Sequence, residues 1–373
     1  MNYILNTPSD YDSDCSTNRI LQNSTSFPFH QSLKEYNCPD LITLTDLSNS
    51  IGVGNIFIKD ESDRFGLNAF KVLGASYAIS RLLKEQTNIK TVCTATDGNH
   101  GKAVAWIANK YNIECIVYVP HDTSKERITA ISKFGAFVHQ INDNYENTCI
   151  HAQYMCSLNN WTLVQDTSFD GYEYIPSLIM SGYLTHMHEI NDQIKLMNKS
   201  IDIVFLQCGV GSWPASCIWF FRNLFNQNTP KIVLVEPKES AGVFESLKIG
   251  NRVSPNGLNQ TIMAGLNCGI PSKNAWKIIK SGIDAAMIID DLSCEKAIRT
   301  LFNPLKSDKK IVSGESGAAG LAGLLSVLDC DKFKNLRNHL KLDKNSNVLL
   351  FNTEGATDLK SFNRIIKKDP NNS

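Results

Sequence analysis

The sequence predicts an α/β protein in which parallel sheets are covered by helices on both faces. Short β-rich runs alternate along the chain with segments of helical periodicity, and such alternation favours parallel strands joined by crossover helices. The length of 373 residues is enough for two domains of ordinary size. With 42% hydrophobic and 20% charged residues, the composition is typical of a globular protein.

The predicted strands are apolar or alternating runs that end at turn residues. They lie at residues 55–59, 91–95, 115–119, 137–141, 162–165, 201–207, 232–236 and 348–351. Helical spacing of apolar residues predicts helices at 72–83, 100–111, 124–134, 144–158, 172–197, 214–225 and 316–328. The first 40 residues are rich in Asn, Ser, Asp and Thr, and we expect them to form an irregular arm.

Charge and cysteine content exclude several classes of function. The chain has 37 basic and 37 acidic residues, so no nucleic-acid or membrane surface is predicted. The sequence shows no secretory signal pattern and no apolar run near the ~18 residues of a membrane span. Its eleven cysteines form no C-x-x-C pair, so we expect no metal site and a reducing, cytoplasmic setting.

Lys71 lies in the segment F-G-L-N-A-F-K-V at 65–72, where a predicted strand gives way to a predicted helix. Its neighbours are apolar or small, and desolvation of an ammonium among such residues lowers its pKa. A neutral lysine amine forms Schiff bases with aldehydes, as in pyridoxal phosphate enzymes. The alternative is a solvated lysine at the surface of an amphipathic helix.

A second segment, C-G-V-G-S at 208–212, follows the predicted strand at 201–207 and precedes a helix with Pro214 near its first turn. Backbone N–H groups at such a glycine-rich turn form a cradle suited to a phosphate. The alternative is a tight turn that needs its two glycines for backbone geometry alone.

Polar side chains also stand at the ends of two predicted strands. Asp97 and Asn99 follow the strand at 91–95, and both are good helix caps. Asp166 ends the strand at 162–165 and is also suited to capping a turn. At the carboxyl edge of a sheet, these side chains would equally line a ligand crevice. His100 is expected to be a packed or capping histidine.

Two further turns leave a structural and a functional interpretation open. Thr353 follows the last predicted strand, either as a turn residue or as a hydroxyl that faces a ring nitrogen. The segment S-G-E-S-G at 313–317 begins a helix rich in small residues. Its polar groups would either cap that helix or bind a ligand.

Five of these turns, at 96–101, 164–167, 208–212, 313–317 and 352–355, occur together along the chain. In their order they resemble the turns of the fold type II pyridoxal phosphate enzymes, the tryptophan synthase β and threonine dehydratase group. In detail the chain is similar to the diaminopropionate ammonia-lyases over about residues 40 to 365. The similar segments are R-F-G-L-N-A-F-K at 64–71, A-T-D-G-N-H-G at 95–101, V-Q-D-T at 164–167, G-Y-E-x-I-P at 171–176, I-M-A-G-L-x-C-G at 262–269, S-G-E-S-G-A at 313–318 and T-E-G-x-T-D at 353–358.

The resemblance implies pyridoxal 5′-phosphate as the cofactor and a role for each matched residue. Lys71 would hold the cofactor as a Schiff base, Asn99 would hydrogen-bond its 3′ oxygen, and Thr353 would face its pyridine nitrogen. A neutral hydroxyl at that nitrogen favours elimination. The phosphate would be bound by Gly209, Val210, Gly211 and Ser212.

The implied reaction is elimination of ammonia from D- and L-2,3-diaminopropionate, which gives pyruvate and two ammonia and belongs to amino-acid catabolism. Asp97 would take the Cα proton of the D enantiomer and Asp166 that of the L enantiomer. We expect partial burial to raise the pKa of both carboxyls. The alternatives are a threonine, serine or D-serine dehydratase, a β-replacing synthase, and a catalytically silent relative that binds the cofactor. Asp97 argues against the first two.

The resemblance also predicts the domain organisation and a homodimer. An arm at 1–40 would precede a large cofactor-binding domain of 41–77 plus 186–373, interrupted by a small domain of 78–185. Cys268 and Cys294 match a cysteine pair that some members carry, and both the bonded and the free state stay open. Trp213 and Pro214 depart from the small residues expected after the phosphate loop, and Trp213 would narrow the site.

Overall fold

A computed structural model describes residues 2–9, 15–86, 88–96, 98–225, 227–258 and 260–367. The strands of this part of the chain are β1 (Tyr3–Leu5), β2 (Leu41–Thr43), β3 (Asn55–Asp60), β4 (Thr91–Ala95), β5 (Glu114–Val119), β6 (Phe137–Gln140), β7 (Thr162–Leu163), β8 (Ile203–Gln207), β9 (Lys231–Pro237), β10 (Ala285–Ile289) and β11 (Asn347–Asn352).

The α-helices of the described residues vary in length from one and a half turns to more than six. They are α1 (Ser16–Gln22), α2 (Ser26–Gln31), α3 (Thr45–Ile51), α4 (Lys71–Glu85), α5 (Asn99–Lys110), α6 (Lys125–Ser132), α7 (Tyr145–Asn159), α8 (Tyr174–Leu196), α9 (Ser212–Asn223), α10 (Gly242–Ile249), α11 (Lys273–Gly282), α12 (Asp291–Phe302), α13 (Glu315–Asp329), α14 (Lys334–Leu340) and α15 (Leu359–Lys367). Short 3₁₀ helices lie at Arg64–Gly66, Lys238–Ser240, Ala264–Leu266 and Asp331–Phe333.

Two compact units make up the chain. The first unit consists of the described residues of Met1–Asp12, Cys38–Asp63 and His186–Ser373, and the second of those of Ser13–Asn37 and Arg64–Thr185. The predicted division into an arm, a large domain and a small domain remains a proposal. By contacts, residues 13–37 and 64–77 group with the second unit rather than with the predicted arm and large domain.

The first unit contains a seven-stranded sheet in the order β1-β10-β9-β8-β11-β3-β2. Its five inner strands are parallel, and the two three-residue edge strands are antiparallel to their neighbours. Alternate residues of the inner strands face opposite sides of the sheet. Phe205 and Leu350 pack towards α13, whereas Phe351 packs against Trp213 of α9. Helices therefore cover both faces.

The second unit contains a four-stranded parallel sheet in the order β6-β5-β4-β7. Cys93 and Tyr118 join a buried cluster with residues of α7 on one face. On the other face, Val117 lies within 3.0 Å of the position a Cβ of Gly101 in α5 would take. The predicted α/β architecture with parallel strands and helices on both faces is confirmed in both units.

The expectation of an irregular arm is wrong for the first 40 residues. Among the residues described there, β1, α1 and α2 form, and Leu21 and His30 are fully buried. The His30 ring hydrogen-bonds Thr185 and Ser76. Pairing and burial of these short elements come from distant parts of the chain, so local composition did not indicate them. Within the described residues, no helix has the length and apolar character that a bilayer crossing requires.

Candidate active site

A strained turn leads into the helix that begins with Lys71. Phe65, Gly66 and Asn68 have φ values of 53°, 71° and 58°, so three of four consecutive residues adopt left-handed conformations. Such a conformation is costly for a bulky side chain. The Phe65 ring is held in a buried cluster, 5.6 Å from the ring centroid of Trp106. Packing of this ring therefore fixes the direction in which the chain enters α4 at Lys71.

The Lys71 side chain meets a buried carboxylate from the end of the small sheet. Its Nζ lies 2.5 Å from Oδ2 of Asp166, and the two side chains are 21% and 6% exposed. Asp166 follows β7, which pairs with β4 in parallel. Strand order thus brings Asp166 to the start of α4, although 95 residues separate it from Lys71. The structure joins these two predicted site residues in one ion pair.

Asp166 is more acidic than expected from its burial. Burial raises the pKa of the Asp166 carboxyl, but the charge and hydrogen bond of Lys71 outweigh burial and hold the pKa at about 2. The expectation that burial raises the pKa of this carboxyl is therefore wrong while the Lys71 ammonium is beside it. Asp166 is ionised at neutral pH, as a group that accepts a proton must be.

His100, in the first turn of α5, is buried behind Asp166. Its Nε2 lies 2.8 Å from the carbonyl oxygen of Val164, and its Nδ1 lies 4.0 Å from Oδ2 of Asp166. Burial lowers the pKa of the His100 imidazole more than the Asp166 carboxylate raises it. The neutral ring therefore carries its proton on Nε2, donates to the carbonyl, and turns an unprotonated Nδ1 towards Asp166. This is the packed histidine that the sequence predicted.

The turn that carries Asn99 is shaped by Thr96, which lies in the matched segment 95–101 but was given no role from the sequence. Asn99 is the first residue of α5, and Asp97 lies outside the described residues. The buried Thr96 hydroxyl accepts hydrogen bonds from the N–H groups of Gly98 and Gly101 at 3.0 and 3.3 Å. A Cβ on Gly101 would come within 2.3 Å of Thr96 Cγ2, so glycine is required there.

Gln165 connects the Asp166 turn to the end of β4 and was likewise not singled out as a site residue. Its Oε1 accepts hydrogen bonds from the Thr94 hydroxyl at 2.8 Å and from the Ala95 N–H at 3.0 Å. Its Nε2 donates to the Tyr145 hydroxyl at 3.1 Å. The two strand ends that carry Asp166 and residues 96–101 are therefore held in one register.

The glycine loop of the first unit runs from the end of β8 into α9. A Cβ on Gly209 would lie 3.0 Å from Cys268 Sγ, and one on Gly211 would lie 2.8 Å from Ile279 Cδ1. Gly211 also has a φ of 96°. Backbone geometry therefore requires glycine at position 211, as the structural alternative proposed, and a Cβ at position 209 would be crowded by Cys268. Among the described residues, no N-cap side chain hydrogen-bonds the start of the twelve-residue α9. A glycine-rich loop that leads into a helix fits an anion such as a phosphate.

Trp213 and Pro214 occupy the first turn of α9, where a proline is tolerated because its missing N–H would have no helical partner. The Trp213 indole is 4% exposed and donates from Nε1 to Nε2 of His186 at 3.1 Å. It also makes an edge contact with Phe351. The indole therefore packs into the core of the first unit, and the expectation that it narrows the site finds no support there.

The helix that begins in the segment at 313–317 is capped by Glu354, from the turn after β11. The N–H of Ser316 donates to Oε1 of Glu354 at 3.1 Å, and the N–H of Gly314 donates to the Glu354 carbonyl at 2.9 Å. The structural interpretation of this segment is thereby supported. Nearby, the Thr353 hydroxyl accepts a hydrogen bond from Gln207 at 3.0 Å.

All eleven cysteines lie in the described part of the chain, and all are free thiols. Cys294 is buried and donates to the Glu315 carbonyl at 3.0 Å, whereas Cys268 lies against Gly209. Of the two states left open for Cys268 and Cys294, the structure has the free one.

Comparison with known proteins agrees with this inventory of residues. A family profile described as pyridoxal-phosphate dependent enzyme matches residues 34–353. Diaminopropionate ammonia-lyase of Escherichia coli (strain K12) is 35% identical over 355 residues, which cover 91% of this chain and 89% of that protein. Diaminopropionate ammonia-lyase of Salmonella typhimurium (strain LT2) is 36% identical over 363 residues, with coverage of 91% and 90%.

Solved structures extend the likeness to three dimensions. The Escherichia coli diaminopropionate ammonia-lyase in complex with an aminoacrylate-PLP azomethine reaction intermediate has a TM-score of 0.90 and 33% identity, and covers 98% of this chain and 96% of its own. The same enzyme in complex with D-serine has a TM-score of 0.89 and 32% identity, with the same coverage. Threonine deaminase isoform 2 from Solanum lycopersicum, at 23% identity, TM-score 0.79 and coverage of 98% and 96%, shows likeness of fold alone.

Proposed function

Because this chain belongs to the pyridoxal-phosphate dependent enzymes, and within them to the diaminopropionate ammonia-lyases, we propose that it eliminates ammonia from 2,3-diaminopropionate. The products are pyruvate and two molecules of ammonia. The observation that carries the mechanism is the 2.5 Å pair of Lys71 Nζ and the buried Asp166 carboxylate. It unites an amine suited to Schiff-base chemistry with a base in one place.

The chemistry of the residues matched by the family resemblance fits the cofactor. When bound, pyridoxal phosphate supplies an electron sink that stabilises negative charge at the substrate Cα. Lys71 would hold its aldehyde carbon, and Asn99 would hydrogen-bond its 3′ oxygen. The phosphate would lie on the N–H groups of residues 209–212, and Thr353 would face the ring nitrogen.

Asp166 becomes a better base whenever Lys71 is uncharged. Beside the Lys71 ammonium the Asp166 pKa is lowered to about 2. The neutral Lys71 amine that Schiff-base chemistry requires would place no charge at that carboxylate. The effect of burial then remains, and it raises the Asp166 pKa towards values suited to proton abstraction. Asp166 takes the Cα proton of the L enantiomer.

Asp97 serves the D enantiomer in this proposal. Support comes from the segment A-T-D-G-N-H-G at 95–101 and from membership of the family, since Asp97 lies outside the described residues. Proton abstraction from opposite faces of one planar adduct requires one base on each face. A pair of aspartates in two different turns supplies both.

Single substitutions of the two aspartates test these roles. Asp97→Asn is expected to lower kcat/KM for D-diaminopropionate by about 10²- to 10⁴-fold and to affect the L enantiomer far less, and Asp166→Asn is expected to do the reverse. Pyruvate formation with each enantiomer measures both. Equal losses for the two enantiomers in either variant would contradict the assignment of one base to each face.

A substrate panel tests the activity itself. We expect D- and L-2,3-diaminopropionate to give higher kcat/KM than D- and L-serine and L-threonine, measured as 2-oxo acid formed. Preference for threonine or serine would identify a dehydratase instead. Bound cofactor without turnover of any member would identify a catalytically silent relative.

The assembly and compartment are part of the same proposal. Eleven free thiols suit a reducing cytoplasm, and family resemblance favours a homodimer. Light scattering coupled to size exclusion of the holoenzyme measures the mass directly, and a mass near the 41.5 kDa of one chain would contradict the dimer.

A further inference from the structure

Gln207 is a buried amide at the end of β8, directly before the glycine loop. Its side chain is 1% exposed. A Cβ on Gly320 of α13 would lie 3.2 Å from Gln207 Oε1 and 3.3 Å from the Phe205 carbonyl oxygen. Glycine at position 320 therefore leaves the space that the amide fills. The amide fills the space between α13 and the sheet.

The orientation of this amide follows from its surroundings. Its Nε2 lies 3.0 Å from the Phe351 carbonyl oxygen and 3.3 Å from the Gly317 carbonyl oxygen. Carbonyl oxygens only accept hydrogen bonds, so the amide group that faces them must be the NH₂. Turning the amide over would place Oε1 against two other oxygens. Two independent carbonyls thus fix which end of the amide is the donor.

The same NH₂ group lies 3.0 Å from Thr353 Oγ1. An amide nitrogen has no lone pair to offer, so the Thr353 hydroxyl accepts here, and the two amide hydrogens are shared among this hydroxyl and the two carbonyls. The hydroxyl's own hydrogen then points elsewhere. Thr353 is 3% exposed, so the direction of that hydrogen is set by the protein rather than by bulk water.

We propose that Gln207 is a positioning residue that makes Thr353 a hydrogen-bond donor towards the cofactor's ring nitrogen, and so selects the unprotonated ring. A protonated ring nitrogen would place its own hydrogen against the hydroxyl hydrogen of Thr353, and that contact is unfavourable. The inference rests on the proposed function, in which Thr353 faces that nitrogen. The inference adds Gln207, which contacts neither cofactor nor substrate. Gln207 determines that the Thr353 hydroxyl donates its hydrogen to the cofactor.

The test is the ¹⁵N chemical shift of the ring nitrogen in holoenzyme loaded with ¹⁵N-labelled pyridoxal phosphate, without substrate. Thr353→Val gives the signal of a ring nitrogen that has lost its donor. Gln207→Met removes the amide but keeps the side-chain length, so the Thr353 hydroxyl is released to turn. We expect the Gln207→Met signal to move from the wild-type position towards that of Thr353→Val. Cofactor dissociation is expected to rise about 2- to 10-fold, as for loss of one hydrogen bond.

Two further variants keep the test decisive. Gln207→Asn retains an amide but shortens it by one methylene, and it is expected to shift the signal in the same direction if Gln207→Met does not fold. Gln140 is the matched control because its exposed amide also donates to backbone carbonyls, those of Pro120 and His121. Gln140→Met is expected to leave the ¹⁵N signal and cofactor affinity at the wild-type values.

The outcomes separate this inference from the proposed function. A wild-type ¹⁵N signal in folded Gln207→Met or Gln207→Asn overturns the inference, even if cofactor affinity falls, because affinity alone reports a structural role. Failure of the wild-type protein to bind the labelled cofactor overturns the proposed function instead.

Discussion

Among single residues, Lys71 and Asp166 depend on each other most. Asp166 is buried and would be an unfavourable charge without its partner, whereas Lys71 is partly open to solvent. The ion pair therefore stabilises the folded protein mainly because the Lys71 charge offsets the unfavourable burial of the Asp166 carboxylate. The same contact keeps the Asp166 carboxyl ionised as long as Lys71 is a charged ammonium.

Removal of Lys71 is expected to destabilise the apoprotein at neutral pH by about 1–3 kcal/mol, because a buried hydrogen-bonding group loses its partner. Urea unfolding of Lys71→Ala measures this loss, and the double variant Lys71→Ala/Asp166→Asn is expected to recover most of it. The control is Lys110→Ala, which breaks an exposed ion pair with Glu35 and is expected to cost less than ~1 kcal/mol. A Lys71→Ala protein as stable as the wild type would refute this view of the pair.

The contribution of Asp166 to stability is expected to depend on pH in one direction. Its folded pKa of about 2 lies below the ordinary value of 3.8, so the folded protein binds this proton less readily than the unfolded chain. The stability is fully present above the ordinary pKa and is lost as pH falls through about 2. Urea unfolding of apo wild type and Asp166→Asn from about pH 3 to 7 checks this. A stability difference that grows on acidification would contradict the sign.

At the scale of elements, Lys71, Asn99 and Ser212 each begin a helix, whereas Asp166 and Thr353 follow the ends of strands. The turn before α4 is the most constrained of these junctions, with three left-handed residues at positions 65, 66 and 68. The loop before α9 uses glycines in the same way.

Asn68 offers a direct test of the strained turn because its side chain is exposed and its φ is 58°. Asn68→Val is expected to destabilise the protein by about 1–2 kcal/mol, since a β-branched side chain resists the left-handed conformation. Asn68→Gly, the matched control, is expected to stay within about 0.5 kcal/mol of the wild type because glycine adopts positive φ freely. Thermal or urea unfolding of both apoproteins measures the difference. Equal stability of the two variants would show that the turn is not strained.

For the whole molecule, the two sheets place the site residues at strand ends far apart in the chain. Several predicted strands lie close to those observed, and 91–95 coincides with β4. The short strands β1 and β2 and the helices α1 and α2 were not predicted. A three-residue edge strand is too short to show periodicity, and its pairing partner lies far along the chain. Strand β10 was also missed, because Ala285 and Ala286 give it little β-propensity.

The thiols give a prediction for the whole chain. Unfolded protein that has never met a reductant is expected to titrate eleven thiols, as the structure has eleven free cysteines. Reaction with a chromogenic disulfide in denaturant counts them. A count of about nine, with Cys268 and Cys294 linked in peptide maps, would show that this pair bonds in solution. The same count after full reduction serves as the control.

The sequence by itself determined the α/β class, the cofactor and the family. The class shows in the alternation of strand-like and helical segments, and the cofactor and family are written in short contiguous segments such as 64–71 and 95–101. Only the tertiary structure decided which site groups are ionised and which hydrogen-bond partners they meet. Lys71 meets Asp166 across 95 residues, and Gln207 meets Thr353 across 146. Burial and hydrogen-bond direction depend on what the fold places beside a group, so no local pattern could reveal that Asp166 is acidic or that the Thr353 hydroxyl accepts a hydrogen bond from Gln207.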